Sequence, residues 1–302
     1  FDEMARQMTD AITERAIGRI VTAHQQREGA GFMVRRPVPT TGLDQVDPFL
    51  MLDEVGPVTY APGQAIGAPD HPHRGFETVS YILAGEKLHE DSTGKTQLIS
   101  AGDVQWMTAG AGIVHSELPG PNFKATGGLA HGFQIWVNLP AAAKFTTPGY
   151  QYLPAAKIPT ANSPDGLITV TVVAGEAFGV AAAIGTHTPI WLQDWRVQPG
   201  ADAEIEIDPS FNAAAYVFDG EVEFGRDAKT AERDQMAIFG EGGRLRVTGA
   251  AGGSGGRFLL LAGEPIDELV ARYGPFVMNT REELVAAFED FQSGAMGVIQ
   301  RV

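Results

Sequence analysis

Short apolar runs closed by Gly, Pro, Asp or Asn dominate the chain from about Ile20 onward; Thr78 to Leu83, Phe133 to Asn138, Ile168 to Val173 and Phe258 to Leu261 are examples. Short runs between turn residues read as strands, and their succession predicts an all-β sandwich or barrel architecture. Two stretches carry the helical period instead. Phe1, Met4, Met8 and Ile12 predict an amphipathic helix over residues 1–16, within an N-terminal extension of residues 1–18. Near the other end, Thr280-Arg-Glu-Glu283 forms a capping box, in which the Thr hydroxyl and the Glu carboxylate satisfy free amides of a first helical turn. Leu284, Phe288 and Phe291 then fall on one face, and Gly294 can end the helix.

The strand pattern occurs twice. Tyr81-Ile-Leu-Ala-Gly-Glu86 resembles Tyr216-Val-Phe-Asp-Gly-Glu221, and Phe133-Gln-Ile-Trp-Val-Asn-Leu-Pro140 resembles Phe258-Leu-Leu-Leu-Ala-Gly-Glu-Pro265. In each half a strand ending in a Gly turn is followed by an apolar strand closed by Pro. The shared order predicts a duplicated β-domain joined near the turn-rich Thr146-Thr-Pro-Gly149. A length of 302 residues suits two domains. The expected organisation is the extension 1–18, a first domain 19–147, and a second domain 148–302 ending in the helix.

Composition narrows the chemistry. With no cysteine, disulfides, iron–sulfur clusters and thiolate zinc sites are excluded, so a metal here must take nitrogen and oxygen ligands. The formal net charge is -15 and the densest basic cluster is Arg35-Arg36, so direct nucleic-acid binding, which needs a basic surface against phosphates, is not expected. No stretch approaches the ~20 apolar residues of a membrane helix. Phe1-Asp-Glu-Met4 lacks the basic and apolar segments of a signal peptide. A cytoplasmic protein without membrane contact is expected.

The candidate chemistry crowds into the first half. His71-Pro-His73 precedes a strand-like run, and His115-Ser-Glu117 repeats the spacing later. Residues two apart on an extended segment point to the same side, so two such pairs on facing strands can converge on one cavity. Three neutral imidazoles and a carboxylate suit one divalent metal: iron, manganese, nickel, copper or zinc. Octahedral coordination would leave positions open for water, dioxygen or substrate. The alternative is a packed, hydrogen-bonded histidine cluster. Glu77 is the runner-up carboxylate, since it could share the strand face of the first histidine pair. His24, His89, His131 and His187 are scattered and read as surface or supporting residues. The second half holds only His187, and Glu206 and Asp208 stand where its repeat aligns with His71 and His73. The second domain is therefore expected to lack a matching site. Gly252-Gly-Ser-Gly-Gly256 precedes a strand and no helix, so it reads as a hairpin and not a phosphate loop. Gly110-Ala-Gly112 reads as a turn that aims His115.

The segments His71-Pro-His-Arg-Gly-Phe-Glu-Thr-Val-Ser-Tyr81 and Gly102-Asp-Val-Gln-Trp-Met-Thr-Ala-Gly-Ala-Gly-Ile-Val-His-Ser-Glu117 closely resemble the signatures of the pirin family. His131-Gly-Phe-Gln-Ile-Trp-Val-Asn138 and Gly274-Pro-Phe-Val-Met-Asn-Thr280 continue the resemblance. It implies a bicupin, two antiparallel jelly rolls facing each other. It also implies one metal, usually iron, in the N-terminal cupin, held by His71, His73, His115 and Glu117. Many other cupins take the acidic ligand from the first motif, which would be Glu77 here. Several pirins resemble quercetin 2,3-dioxygenases, which open the central ring of a flavonol with dioxygen and release carbon monoxide. Others act as protein-binding regulators of transcription or metabolism. In the enzyme reading the flavonol 3-hydroxyl meets the metal, and Glu117 is the catalytic residue that takes its proton. Phe76, Met107 and Phe133 are candidate apolar walls, with core packing as the alternative. In the regulator reading the partner is another protein, since the acidic composition argues against DNA. A third reading makes the metal purely structural.

Overall fold

The computed structural model describes residues 13–301. Strands dominate it, and among the described residues α-helix occurs only at Pro121–Thr126 and Arg281–Gln292. The helix expected over residues 1–16 falls mostly outside the described residues. Its described end is not helical: Glu14 bridges Arg244, and the strand Ile17–Thr22 follows.

The chain forms two compact units. One comprises residues 24–158 and the C-terminal residues from Ile266 onward. Its larger sheet runs Gly149–Leu153, Val104–Thr108, Phe76–Ala84, Gly128–Asn138, Phe49–Tyr60, Phe32–Val38, His24–Glu28, each neighbour antiparallel. A smaller antiparallel sheet runs Ala68–His73, Ile113–Pro119, Glu86–Asp91, Thr96–Ser100. Only His24–Glu28 with Phe32–Val38, Phe32–Val38 with Phe49–Tyr60, and Glu86–Asp91 with Thr96–Ser100 are neighbours consecutive in sequence; the other pairings join strands distant along the chain, as jelly-roll connections do. Gly75 lies between two of these strands at φ 87, and a Cβ there would sit 2.0 Å from the Val277 carbonyl oxygen. Only glycine fits that approach.

The other unit comprises residues 159–265 and the described part of residues 1–23. Its main antiparallel path runs Ile17–Thr22, Gln235–Phe239, Asn212–Phe224, Gly256–Gly263, Ile190–Val197, Ile168–Ala174, Thr160–Asn162. Trp195, Phe224, Phe239 and Phe258 are among the apolar residues that fill its interior, with Trp195 and Phe258 stacked at 5.7 Å. Glu206 and Asp208 are exposed. The repeat read from the sequence has a structural counterpart. The strand carrying Tyr81 pairs with the one carrying Phe133, and the strand carrying Tyr216 pairs with the one carrying Phe258.

The units do not follow the linear cut at 147/148. The C-terminal helix packs in the first unit, where Phe276, Met278, Leu284, Ala287 and Met296 form one apolar cluster with Val114. Burial of an apolar face, not nearness in sequence, decides where such a segment docks. The capping box is present as expected: Thr280 accepts from the Glu283 amide, and the Glu283 carboxylate accepts from the Thr280 amide. Leu284 is buried and Phe288 packs against the cluster, while Phe291 at the same face's end is exposed.

Candidate metal centre

The smaller sheet of the first unit positions the histidines. Its strand Ala68–His73 pairs with Ile113–Pro119 so that His71 lies directly opposite His115 and His73 opposite Ile113. The ligand-capable atoms of His71, His73 and His115 all lie within 4.8 Å of one another. The three rings are mutually close, with centroids 4.4 Å (His71–His115), 4.8 Å (His71–His73) and 5.0 Å (His73–His115) apart.

Hydrogen bonds orient two of these rings. The Nδ1 of His71 is 2.7 Å from the Pro69 carbonyl oxygen, and the Nδ1 of His73 is 3.3 Å from that of Pro275. A carbonyl can only accept, so each Nδ1 carries the proton and each Nε2 keeps its lone pair free for a metal. His115 has neither ring nitrogen hydrogen-bonded, although the residue is fully buried. An unpaired buried nitrogen is costly, and a cation shared with two neighbouring imidazoles removes that cost. Burial pushes His73 and His115 well below the usual imidazole range, and the neighbouring His71 pushes the same way. Both are therefore neutral at physiological pH, as metal ligation requires. The donor set fits a divalent metal.

Glu117 lines the same cavity but stands outside the three-histidine cluster. Glu117 falls opposite Ala68 because the partner strand carries one extra residue between Ala68 and His71, whereas His115 and Glu117 keep regular alternation against Asp91 and His89. The Ser80 hydroxyl donates to its Oε1 at 2.5 Å, and Lys87 Nζ approaches the same oxygen at 3.9 Å. Burial pushes the Glu117 carboxyl upward, but Lys87 and Ser80 outweigh it and hold the group below its ordinary value. Both neighbours address Oε1, which leaves Oε2 for another task.

The cavity in front of these groups measures about 580 Å³. Phe32, Val34, Met51, Val55, Ile66 and Trp136 supply apolar wall, and Gln134, Lys87 and Arg272 add polar groups. His71 and His73 open onto it. A pocket that sets apolar wall beside charged groups and ligand-ready histidines is the arrangement of a small-molecule site.

Comparison with known proteins then places the chain. The family model described as Pirin matches residues 31–137, and that described as Pirin C-terminal cupin domain matches residues 192–297. The chain belongs to the pirin family. It is 42% identical to a pirin-like protein of Solanum lycopersicum over 94% of this chain and 93% of that protein. It is 41% identical to Homo sapiens pirin over 92% of each. Among solved structures it resembles a quercetin 2,3-dioxygenase from Acinetobacter baumannii, with 35% identity, a TM-score of 0.89, and coverage of 95% of this chain and all of that one. The fold is thus that of a pirin bicupin, and its three clustered histidines form a candidate metal site.

Within this pirin fold the remaining expected residues take other places. Glu77 is buried away from the histidine cluster and accepts from the Thr108 hydroxyl at 2.7 Å. Phe76, Met107 and Phe133 are buried in the core and do not line the cavity. Phe76 packs behind Trp136 and against His73, and Met107 packs on Ala109 and Ile113. Phe133 has the wrong parity: on its strand Gln134 and Trp136 face the cavity, so the odd position faces away. His89 is neither scattered nor superficial. It is fully buried with its ring 5.4 Å from that of His115, its Nε2 2.9 Å from Asp91 Oδ2, and its Nδ1 3.2 Å from Gln105 Nε2. Ser80, Lys87 and Gln134 were missed altogether. Lys87, His89 and Asp91 do alternate along one strand, with His89 opposite Glu117 and Asp91 opposite His115. That period-two run of ionisable residues was the readable signal.

Proposed function

We propose that this chain is a metal-dependent dioxygenase, with iron(II) as the metal, that cleaves quercetin-type flavonols with dioxygen. The observation that carries the reading is the opening of His71 and His73, with Glu117, onto a cavity of about 580 Å³ with apolar walls. The similarity to a quercetin 2,3-dioxygenase along nearly the whole chain supports it.

His71, His73 and His115 would hold the metal, with Glu117 as the fourth ligand. When bound, the metal supplies Lewis acidity that lowers the pKa of a coordinating hydroxyl, together with a path for electrons to dioxygen. Every other task falls to side chains. Glu117 is kept ionised by Lys87 and Ser80, so it can accept the proton of the flavonol 3-hydroxyl. The Ser80 hydroxyl fixes the carboxylate by its bond to Oε1. Phe32, Val34, Met51, Val55 and Ile66 exclude water from the aromatic rings of the substrate, and the indole of Trp136 adds to the same wall.

The test is oxygen uptake by the iron(II)-loaded chain with and without quercetin, alongside carbon monoxide release. Flavonol-dependent uptake matched by carbon monoxide is the expected result. A fully loaded protein that consumes no oxygen with flavonols would overturn the reading, and a role in binding protein partners would take its place.

A further inference from the structure

The cavity wall carries seven charged side chains: Glu28, Arg36, Asp53, Asp70, Lys87, Glu117 and Arg272. Six of them are engaged in direct contacts with an opposite charge. Arg36 binds both oxygens of Asp53 and reaches Glu28 at 2.8 Å. Lys87 stands by Glu117 at 3.9 Å, and Asp70 is held in a two-pronged pair by Arg301. Arg272 is the exception. Among the described residues it has no carboxylate at bridging distance; one Nη donates to the Leu50 carbonyl oxygen at 3.1 Å, and the guanidinium lies 5.0 Å from the Trp136 ring centre.

That placement leaves guanidinium donors facing the cavity for a ligand oxygen. A guanidinium presents five N–H donors and keeps its charge in any protein setting. Here it is half-buried; burial and the nearby Arg36 weigh against the charge, while Asp53 and Glu28 favour it from beyond bridging distance. Its carboxylate neighbours are already engaged by Arg36. The same Trp136 that lies beneath Arg272 has its ring 5.2 Å from that of His73, so the guanidinium and the histidine cluster border one aromatic ring. A planar substrate lying in the cavity with one oxygen at the histidines can present a second to Arg272, which covers the cavity side of Trp136 while Phe76 backs it.

We propose that Arg272 is a specificity-determining residue: it selects aromatic substrates that carry an acidic oxygen besides the one that meets the metal. The assignment rests on the cavity being the substrate site of the proposed dioxygenase. Hydroxylated flavonols such as quercetin meet the requirement; 3-hydroxyflavone, with no hydroxyl on its outer rings, does not. Charge-assisted hydrogen bonds of this kind separate two ligands by about tenfold or more in affinity.

The experiment measures dissociation constants by anaerobic calorimetry on the full, iron(II)-loaded chain with both flavonols. The parent is expected to bind quercetin about tenfold more tightly than 3-hydroxyflavone. Arg272→Gln should weaken quercetin about tenfold and leave 3-hydroxyflavone within about twofold, and Arg272→Lys, which keeps the charge, should restore part of the loss. Equal losses for both ligands, or none for quercetin, would overturn the assignment. Oxygen uptake is read separately. Discrimination in binding without uptake sinks the dioxygenase reading and keeps Arg272, whereas uptake with an unchanged preference in Arg272→Gln sinks Arg272 alone. A parent chain that binds neither flavonol overturns both.

Discussion

Removing the Ser80 hydroxyl tests the role of Glu117 without touching a ligand. Ser80 is fully buried, with its Oγ 2.5 Å from Glu117 Oε1 and 2.7 Å from Gln134 Oε1. Its one proton serves the carboxylate. Hydrogen bonds to a charged group contribute about 1.5–3 kcal/mol. Ser80→Ala should therefore raise the Glu117 carboxyl. Burial, the largest single influence on that group, already pushes upward; with Ser80 gone, Lys87 at 3.9 Å is the chief group that opposes it. The metal competes with the proton for the carboxylate, so affinity should fall at every pH and fall further in acid. Loss of a hydrogen-bond partner to a ligand typically costs about 10–100-fold in metal affinity. Competition against a chelator at pH 7.5 and pH 5.5 measures it, and the melting temperature of the metal-free variant separates general destabilisation from an effect at the site. Metal affinity equal to the parent's at both pH values would refute the reasoning and remove Glu117 from the ligand set.

Other outcomes follow from the same geometry. Glu117→Gln keeps shape and an oxygen donor but loses basicity, so it should retain part of the metal while flavonol turnover drops about 10²–10⁴-fold; normal oxygen uptake would move the proton-accepting role elsewhere. His115→Ala should lose metal and turnover together, and full metal content by elemental analysis would contradict the three-histidine site. His73 and His115 are held neutral by burial, so below about pH 6.5 the unfolded chain binds protons that the folded one refuses. The urea midpoint of the metal-free protein should therefore fall as pH drops from 7 to 5, and a His115→Leu variant should show a flatter profile. Lys144 is buried, with its amine donating to the carbonyl oxygens of Gly75 and Val277 and to Asn138 Oδ1. Lys144→Met strips a donor from all of these buried acceptors and relieves a desolvated amine, for a net loss of about 3 kcal/mol in chemical denaturation; an unchanged midpoint would show that the acceptors find other donors.

Local pattern alone carried the class of fold and the cluster of histidines. A period-two alternation puts His71 and His73 on one side of a strand whatever the rest of the chain does, and the Gly and Pro punctuation marks strands of bicupin length. The Thr280–Glu283 capping box is equally local, since its hydrogen bonds span one helical turn. Alternation does not say which parity meets the cavity, and here the Phe133 face turned out to be core while Gln134 and Trp136 face the pocket. Nor could it foresee the extra residue between Ala68 and His71 opposite His115 and Glu117, or the hold of Ser80 and Lys87 on the Glu117 carboxylate. Ser80 and Glu117 lie on strands of different sheets, and Arg272 reaches Trp136 from a segment far along the chain. The C-terminal helix, read as the end of the second domain, buries its apolar face against Val114 beside His115. Hydrophobic burial and charge pairing act through space, so these decisions belong to the tertiary structure and leave no trace in local spacing.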